Sequence, residues 1–106
     1  MTRSVLAFSI LPGRRDEFVA AFMRLGVLRR ASRQPGFRRS QLHVSVDDLD
    51  EVLVTADWDS PEAYEGWLEN PARAEIQAEL GPLLAVEPQP RVYQVIEDVV
   101  PWEDEP

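Results

Sequence analysis

The 106-residue sequence has no cysteine, no lysine and a single histidine, His43. Without cysteine there is no disulfide, no thiolate nucleophile and no cysteine metal ligand. One histidine among scattered carboxylates falls short of the usual ligand sets, so no bound metal is expected. Asp47, Asp48, Asp50 and Glu51 are neighbours, but their spacing does not match an EF-hand loop. The few glycines form no phosphate-cradling motif, and no nucleophile elbow is present. No apolar run is long enough to cross a bilayer, and no basic leader precedes an apolar stretch. A cytoplasmic location is expected, with no membrane partner.

Positive charge is also in short supply. The formal net charge is -8 and the pI is near 4.5. Phosphate contacts need a basic surface, so nucleic acid is not an expected partner. The charge is unevenly placed. Residues 1–46 carry nine arginines against Asp16 and Glu17, whereas residues 47–106 carry Arg73 and Arg91 against seventeen acids. A basic first helix beside an acidic second one, paired at the surface, would account for this; a basic rim that attracts an anionic ligand is the alternative.

The composition that remains, 44% hydrophobic and 28% charged, is that of a globular domain. One domain over residues 1–100 is expected, followed by an acidic tail, 101–106, around Trp102. The organising stretch runs from Val52 to Leu68. Its β-branched start reads as a strand ending in Trp58. Ser60 is a suitable N-cap, Pro61 suits the first helical position, and Glu62 complements the helix dipole. Tyr64, Trp67 and Leu68 share one helix face by their i, i+3, i+4 spacing.

The other elements follow from period and punctuation. Ser4–Leu11 reads as a strand apolar on both faces. After Pro12-Gly13, a helical stripe of Phe18, Ala21, Phe22, Leu25 and Leu28 continues through Gly26, which weakens but need not break the helix. Phe37–Val46 and Glu51–Trp58 form a hairpin. Strict alternation places Phe37, Arg39, Gln41 and His43 on one face. Asn70-Pro71 should bend or break the second helix, with Asn70 able to cap a new segment and Pro71 at its first position. A last strand is expected over Arg91–Val100.

The order β-α-β-β-α-β is the α+β ferredoxin-like arrangement: a four-stranded antiparallel sheet with helices on one face. The other face then needs an apolar cover, and a second copy of the same sheet is the simplest supplier, so a homodimer is expected.

Pro12-Gly13 before Asp16, Glu17 and Phe18, then Pro35-Gly36-Phe37, then Trp58-Asp59-Ser60-Pro61-Glu62-Ala63-Tyr64 with Trp67-Leu68, and finally Leu80 and Pro82-Leu83-Leu84 form an ordered set. With this spacing the chain resembles the antibiotic biosynthesis monooxygenase (ABM) domain family over roughly residues 4–98. The resemblance implies a dimeric α+β barrel, in which two ferredoxin-like units pack sheet to sheet. It implies an oxygenase that oxidises phenolic, quinol- or anthrone-like polyketides with O2 and no cofactor. Some family members instead bind and degrade haem, and a non-catalytic ligand-binding or accessory role on the same fold is a further alternative. Haem-degrading members share an Asn on the first strand, a Trp on the second helix and a His about three turns later. Here Trp67 matches, the first strand has no Asn, and Gln77 stands ten residues after Trp67. The polyketide oxygenases flank the same Trp with an Asn and a Tyr; here Ala63 and Arg73 occupy those positions, with Tyr64 adjacent to the first.

Three residues are therefore candidates for catalysis. Trp67 either walls a planar-ligand pocket or fastens the helix to the sheet. Tyr64 either offers its hydroxyl to a substrate oxygen or packs its ring and bonds water. Histidine is the side-chain type whose unperturbed pKa lies near neutrality, and His43, if it faces the helices, would suit a general base; otherwise it is a surface or interface histidine. Phe22, Gln41, Trp58, Arg73 and Gln77 are expected around the same small aromatic substrate.

Overall fold

The computed structural model describes residues 1–102; of the expected acidic tail, residues 103–106 lie outside the described residues. The chain folds as β1 (Thr2–Ser9), α1 (Arg15–Arg24), α2 (Val27–Ala31), β2 (Phe37–Val44), β3 (Glu51–Trp58), α3 (Pro61–Leu68), α4 (Ala72–Leu80), a 3-10 turn (Gly81–Leu83) and β4 (Pro90–Gln94). All strand pairs are antiparallel, in the order β2-β3-β1-β4, so β3 and β1 form the centre of the sheet. This is the expected ferredoxin-like architecture.

The face covered by helices is read from register. Thr2, Ser4, Leu6 and Phe8 of β1 stand opposite Trp58, Ala56, Val54 and Val52 of β3. These even-numbered residues meet the helices, and Thr2, Phe8, Val52 and Trp58 are buried among them. From α1, Phe18 and Phe22 enter the core, with the Phe18 ring 5.1 Å from Phe8 and 6.0 Å from Phe22. Trp58 is only 1% exposed and donates its Nε1–H to Ser4 Oγ at 3.0 Å. That bond lets an indole sit in the core without an orphaned donor.

Helix boundaries follow local chemistry. Ser60 caps α3 by accepting the Ala63 N–H at 3.3 Å, and Pro61 occupies the first turn. Asn70 Oδ1 accepts the Ala72 N–H at 2.9 Å and starts α4, so the expected break is present. The first helix differs from expectation. Gly26 takes φ +63, a left-handed conformation, and divides it into α1 and α2. Leu25 and Val27 on either side of the break are both buried, so the bend keeps the apolar stripe on the sheet.

The last strand is shorter than expected. β4 pairs with β1 only over Pro90–Gln94, and one further bond runs from Val95 N–H to the Met1 carbonyl. The expected surface pairing of the two helical halves is represented by Arg30 and Glu75, at 3.0 Å between α2 and α4.

Candidate functional site

Covering one sheet face with two bent helical pairs leaves space between the layers. A cavity of about 780 Å³ lies there. Its floor is the helix-facing row of the sheet, including Ser4, Leu6, Ser40, Val54, Ala56 and Trp58. Phe22, Val27, Leu28 and Ala31 contribute from α1 and α2, Tyr64, Trp67 and Leu68 from α3, and Arg73, Ile76, Gln77 and Leu80 from α4. The loop after the 3-10 turn adds Ala85, Val86, Glu87 and Pro88. The deep walls are buried residues, while Gln77, Gly81, Val86 and Glu87 are exposed, so the cavity opens between α4 and this loop.

Six of the eight residues expected at the site line this cavity: Trp67, Tyr64, Phe22, Trp58, Arg73 and Gln77. Tyr64 and Trp67 are both 8% exposed and hold α3 to the core. The Tyr64 ring lies 5.8 Å from that of Trp58. Burial raises the Tyr64 pKa above its usual value, opposed by the positive charge of Arg73. The phenol is therefore neutral at neutral pH and available as a donor. Among the described residues, the Tyr64 hydroxyl, the Trp67 indole N–H and the Arg73 guanidinium have no hydrogen-bond or ion-pair partner in the protein. Apolar walls bearing three unspent donors suit a flat, oxygen-bearing molecule.

His43 and Gln41 do not face this cavity. Strict alternation from Phe37 predicted that all the odd residues of β2 share a face. Phe37 does face the helices: it pairs with Trp58, their ring centroids 5.5 Å apart and nearly perpendicular. Between Phe37 and Arg39 the register shifts, because Arg38 is an extra residue in β2, a β-bulge. Past the bulge the parity is reversed. Ser40 and Leu42 pair with Ala56 and Val54 and face the helices, whereas Gln41 and His43 pair with Thr55 and Leu53 and face away. His43 Nε2 lies 3.1 Å from Thr55 Oγ1. Gln41 instead borders a small recess of about 90 Å³ shared with Arg3, Arg39 and Asp57. In that recess Arg3 holds Asp57 through Nε–Oδ1 and Nη2–Oδ2 bonds of 2.7 and 3.1 Å.

Sequence reasoning missed Ser4, Ser40 and Glu87. Ser40 followed from the bulge. Its one trace in the sequence is that Phe37 and Leu42, the two large apolar residues of β2, have opposite parity and can share a face only if the strand is irregular. No pattern in the sequence marks Glu87, which reaches the cavity by the path of the loop. Among the described residues, no cluster of three or more metal-ligating side chains occurs.

Comparison with known proteins gives the same frame. No curated protein matches the sequence. The monooxygenase from the gene ActVA-Orf6 of Streptomyces coelicolor, solved with nanaomycin D, is 25% identical; the match covers 94% of this chain and 91% of that one, with a TM-score of 0.80. SnoaB, a cofactor-independent oxygenase from Streptomyces nogalater, is 22% identical over 92% of this chain and 95% of its own, with a TM-score of 0.76. Rv0793 from Mycobacterium tuberculosis is 18% identical over 93% and 98%, with a TM-score of 0.78. The family model for antibiotic biosynthesis monooxygenase matches residues 1–79, which contain β1 to β3, α1 to α3 and all of α4 but its last residue. With three quarters of its length on that family model and its fold on those structures, the chain belongs to the antibiotic biosynthesis monooxygenase family.

Proposed function

We propose that the protein is a monooxygenase that oxidises an aromatic, quinol- or anthrone-like substrate with O2, bound in the cavity between sheet and helices. The observation that carries this reading is the set of three unpartnered donors, from Tyr64, Trp67 and Arg73, on the walls of an otherwise largely apolar space of about 780 Å³. The similarity to SnoaB and to the ActVA-Orf6 product adds the reaction class.

An electron-rich aromatic can itself reduce O2 once it has lost a proton. The site's task is to hold the substrate, favour its anion and exclude water. Trp67 and Trp58 supply aromatic walls, and Phe22 closes the space from α1. The neutral Tyr64 hydroxyl and the Trp67 N–H donate to substrate oxygens. Arg73 stabilises the enolate or phenolate: a cation about 4 Å from an oxyanion, at an effective dielectric near 20, contributes about 4 kcal/mol, or about three pK units. Because these donors have no protein partner to give up, little reorganisation accompanies the reaction.

The cavity suits haem less well. Its lining contains no histidine, cysteine or methionine. Tyr64 is the one side chain there of a type that ligates haem iron, and burial holds it protonated. A Soret band that shifts on titration with haem, and does so less in Tyr64→Phe, would favour that reading instead.

The protein is further proposed to act as a homodimer joined through the open sheet face. Val5, Leu53 and Tyr93 supply apolar surface there, and Arg3 and Asp57 pair across it. A stable monomer in sedimentation at micromolar concentration would refute the dimer. For the reaction, the test is oxygen uptake and quinone formation with anthrones and dihydroquinones as substrates. Arg73→Gln should lower kcat/KM by about 10²- to 10³-fold, in line with loss of one charge-stabilising group. Absence of uptake across such a panel would remove the oxygenase reading and leave ligand binding without turnover.

A further inference from the structure

The oxygenase reading requires a group that takes the substrate proton, and the bulge in β2 puts His43 on the far side of the sheet. Three titratable side chains line the cavity: Tyr64, Arg73 and Glu87. Arg73 is a permanent cation with no lone pair to offer. Tyr64 is held protonated by burial. Of the hydroxyls, that of Ser4 already accepts the Trp58 N–H, and neither Ser4 nor Ser40 is basic at neutral pH. Gln77 is neutral. Glu87 alone is a carboxylate, and it makes no hydrogen bond or ion pair with any described residue. It stands at the mouth, in the loop between the 3-10 turn and β4, where it reaches both the cavity and bulk water.

We infer that Glu87 is the general base of this site: its carboxylate takes the acidic proton of the bound anthrone- or quinol-type substrate, while Arg73 holds the resulting oxyanion. This rests on the oxygenase reading above. For a substrate methylene the step balances as follows. The C–H proton passes to a Glu87 oxygen, and its electron pair spreads onto the substrate carbonyl oxygen beside Arg73. O2 takes one electron, the resulting radical pair combines to a C–O–O⁻ peroxide, and Glu87 returns its proton to form the hydroperoxide. Loss of the remaining C–H proton to Glu87, with O–O cleavage, yields the ketone and water. The substrate carbon is oxidised by two electron pairs, one oxygen atom enters the product, and the other leaves as water. Exposure of Glu87 lets its proton exchange with solvent between turnovers.

Proton transfer can be read without oxidation. Under argon in D2O, anthrone exchanges its methylene hydrogens, and proton NMR follows their loss. Wild-type protein should accelerate this over buffer. Glu87→Gln should slow the protein-dependent exchange by about 10²-fold or more, with anthrone binding by fluorescence quenching unchanged. Glu87→Asp should keep part of the rate, and added acetate should restore part of it to Glu87→Gln. A structural role for Glu87 would give neither rescue nor unchanged binding. Exchange within about two-fold of wild type in Glu87→Gln, or none above buffer in wild type, overturns the assignment. Exchange that depends on Glu87 but without oxygen uptake in air upholds the base and overturns the oxygenase reading alone.

Discussion

Gly36 should be replaceable only together with its neighbour on α3. It lies in the turn that opens β2, at φ +87, and its carbonyl accepts the Asp59 N–H at 2.8 Å. A Cβ built there would fall 2.5 Å from the Ala63 Cβ, well inside contact distance. Two penalties follow for Gly36→Ala. The left-handed backbone costs an L-residue about 1–2 kcal/mol. Forcing a methyl group into a filled space costs typically about 1–3 kcal/mol more. The expected loss is thus about 2–5 kcal/mol, a large share of a small domain's stability. Ala63→Gly alone should cost about 1 kcal/mol, the helix penalty of glycine. The double variant removes the clash and keeps the backbone strain. It should be more stable than the sum of the singles by about 1–3 kcal/mol. Urea unfolding at constant m-value measures all three. Gly36→Ala within about 0.5 kcal/mol of wild type, or singles that simply add, would refute the claim that this contact fixes how closely α3 approaches the sheet. The contact bears on the proposed site because α3 carries Tyr64 and Trp67, which line the cavity.

Other consequences can be checked in parallel. Ser4→Ala leaves the buried Trp58 N–H without its acceptor and should destabilise the protein by about 1–3 kcal/mol in the same unfolding assay. Tyr64→Phe removes a hydroxyl that has no protein partner, so stability at pH 7 should change little, while kcat/KM for oxygen uptake falls about tenfold. The same variant tests the titration of Tyr64. Its folded pKa is raised, so the folded state holds the proton more tightly than the unfolded chain, and its contribution to stability is lost as pH rises above 10.0; thermal melts from pH 9 to 11 should show a smaller decline in Tyr64→Phe. His43→Ala should leave oxygen uptake within about two-fold of wild type, because the imidazole meets Thr55 across the sheet from the cavity.

Much of the fold is legible in the sequence because the signals are local. Ser60-Pro61 announces a helix start and Asn70-Pro71 a break by side-chain chemistry within a few residues. The apolar stripe of Phe18, Ala21 and Phe22 fixes which face of the first helix meets the sheet. Three features resist that reading. Gly26 is compatible with a continuous helix, and only packing of both Leu25 and Val27 selects the left-handed break. The alternation after Gln94 looks like strand, yet β4 has ladder partners in β1 only from Pro90 to Gln94. The bulge at Arg38 is a single inserted residue that inverts every face after it. It explains why six of the expected site residues line the cavity while His43 and Gln41 do not. The expected residues on helices, Phe22, Tyr64, Trp67, Arg73 and Gln77, line the cavity because helical spacing tolerates the bends between segments. Gln41 and His43 on β2 do not, since a period of two has no tolerance for one extra residue.

The most direct test of the cavity as the reaction site uses Gly81. It lies at the mouth with ordinary helical backbone angles, and a Cβ added there meets no atom within 4 Å. Gly81→Trp can therefore obstruct the entrance without straining the fold. The measurement is oxygen uptake with an anthrone substrate, with quinone followed by absorbance, in wild type and Gly81→Trp at equal thermal stability. The account predicts wild-type turnover with one O2 consumed per quinone, and a fall in kcat/KM of at least about tenfold in the variant. Equal turnover in the two proteins would place the chemistry elsewhere, and no turnover in wild type would contradict the oxygenase reading itself.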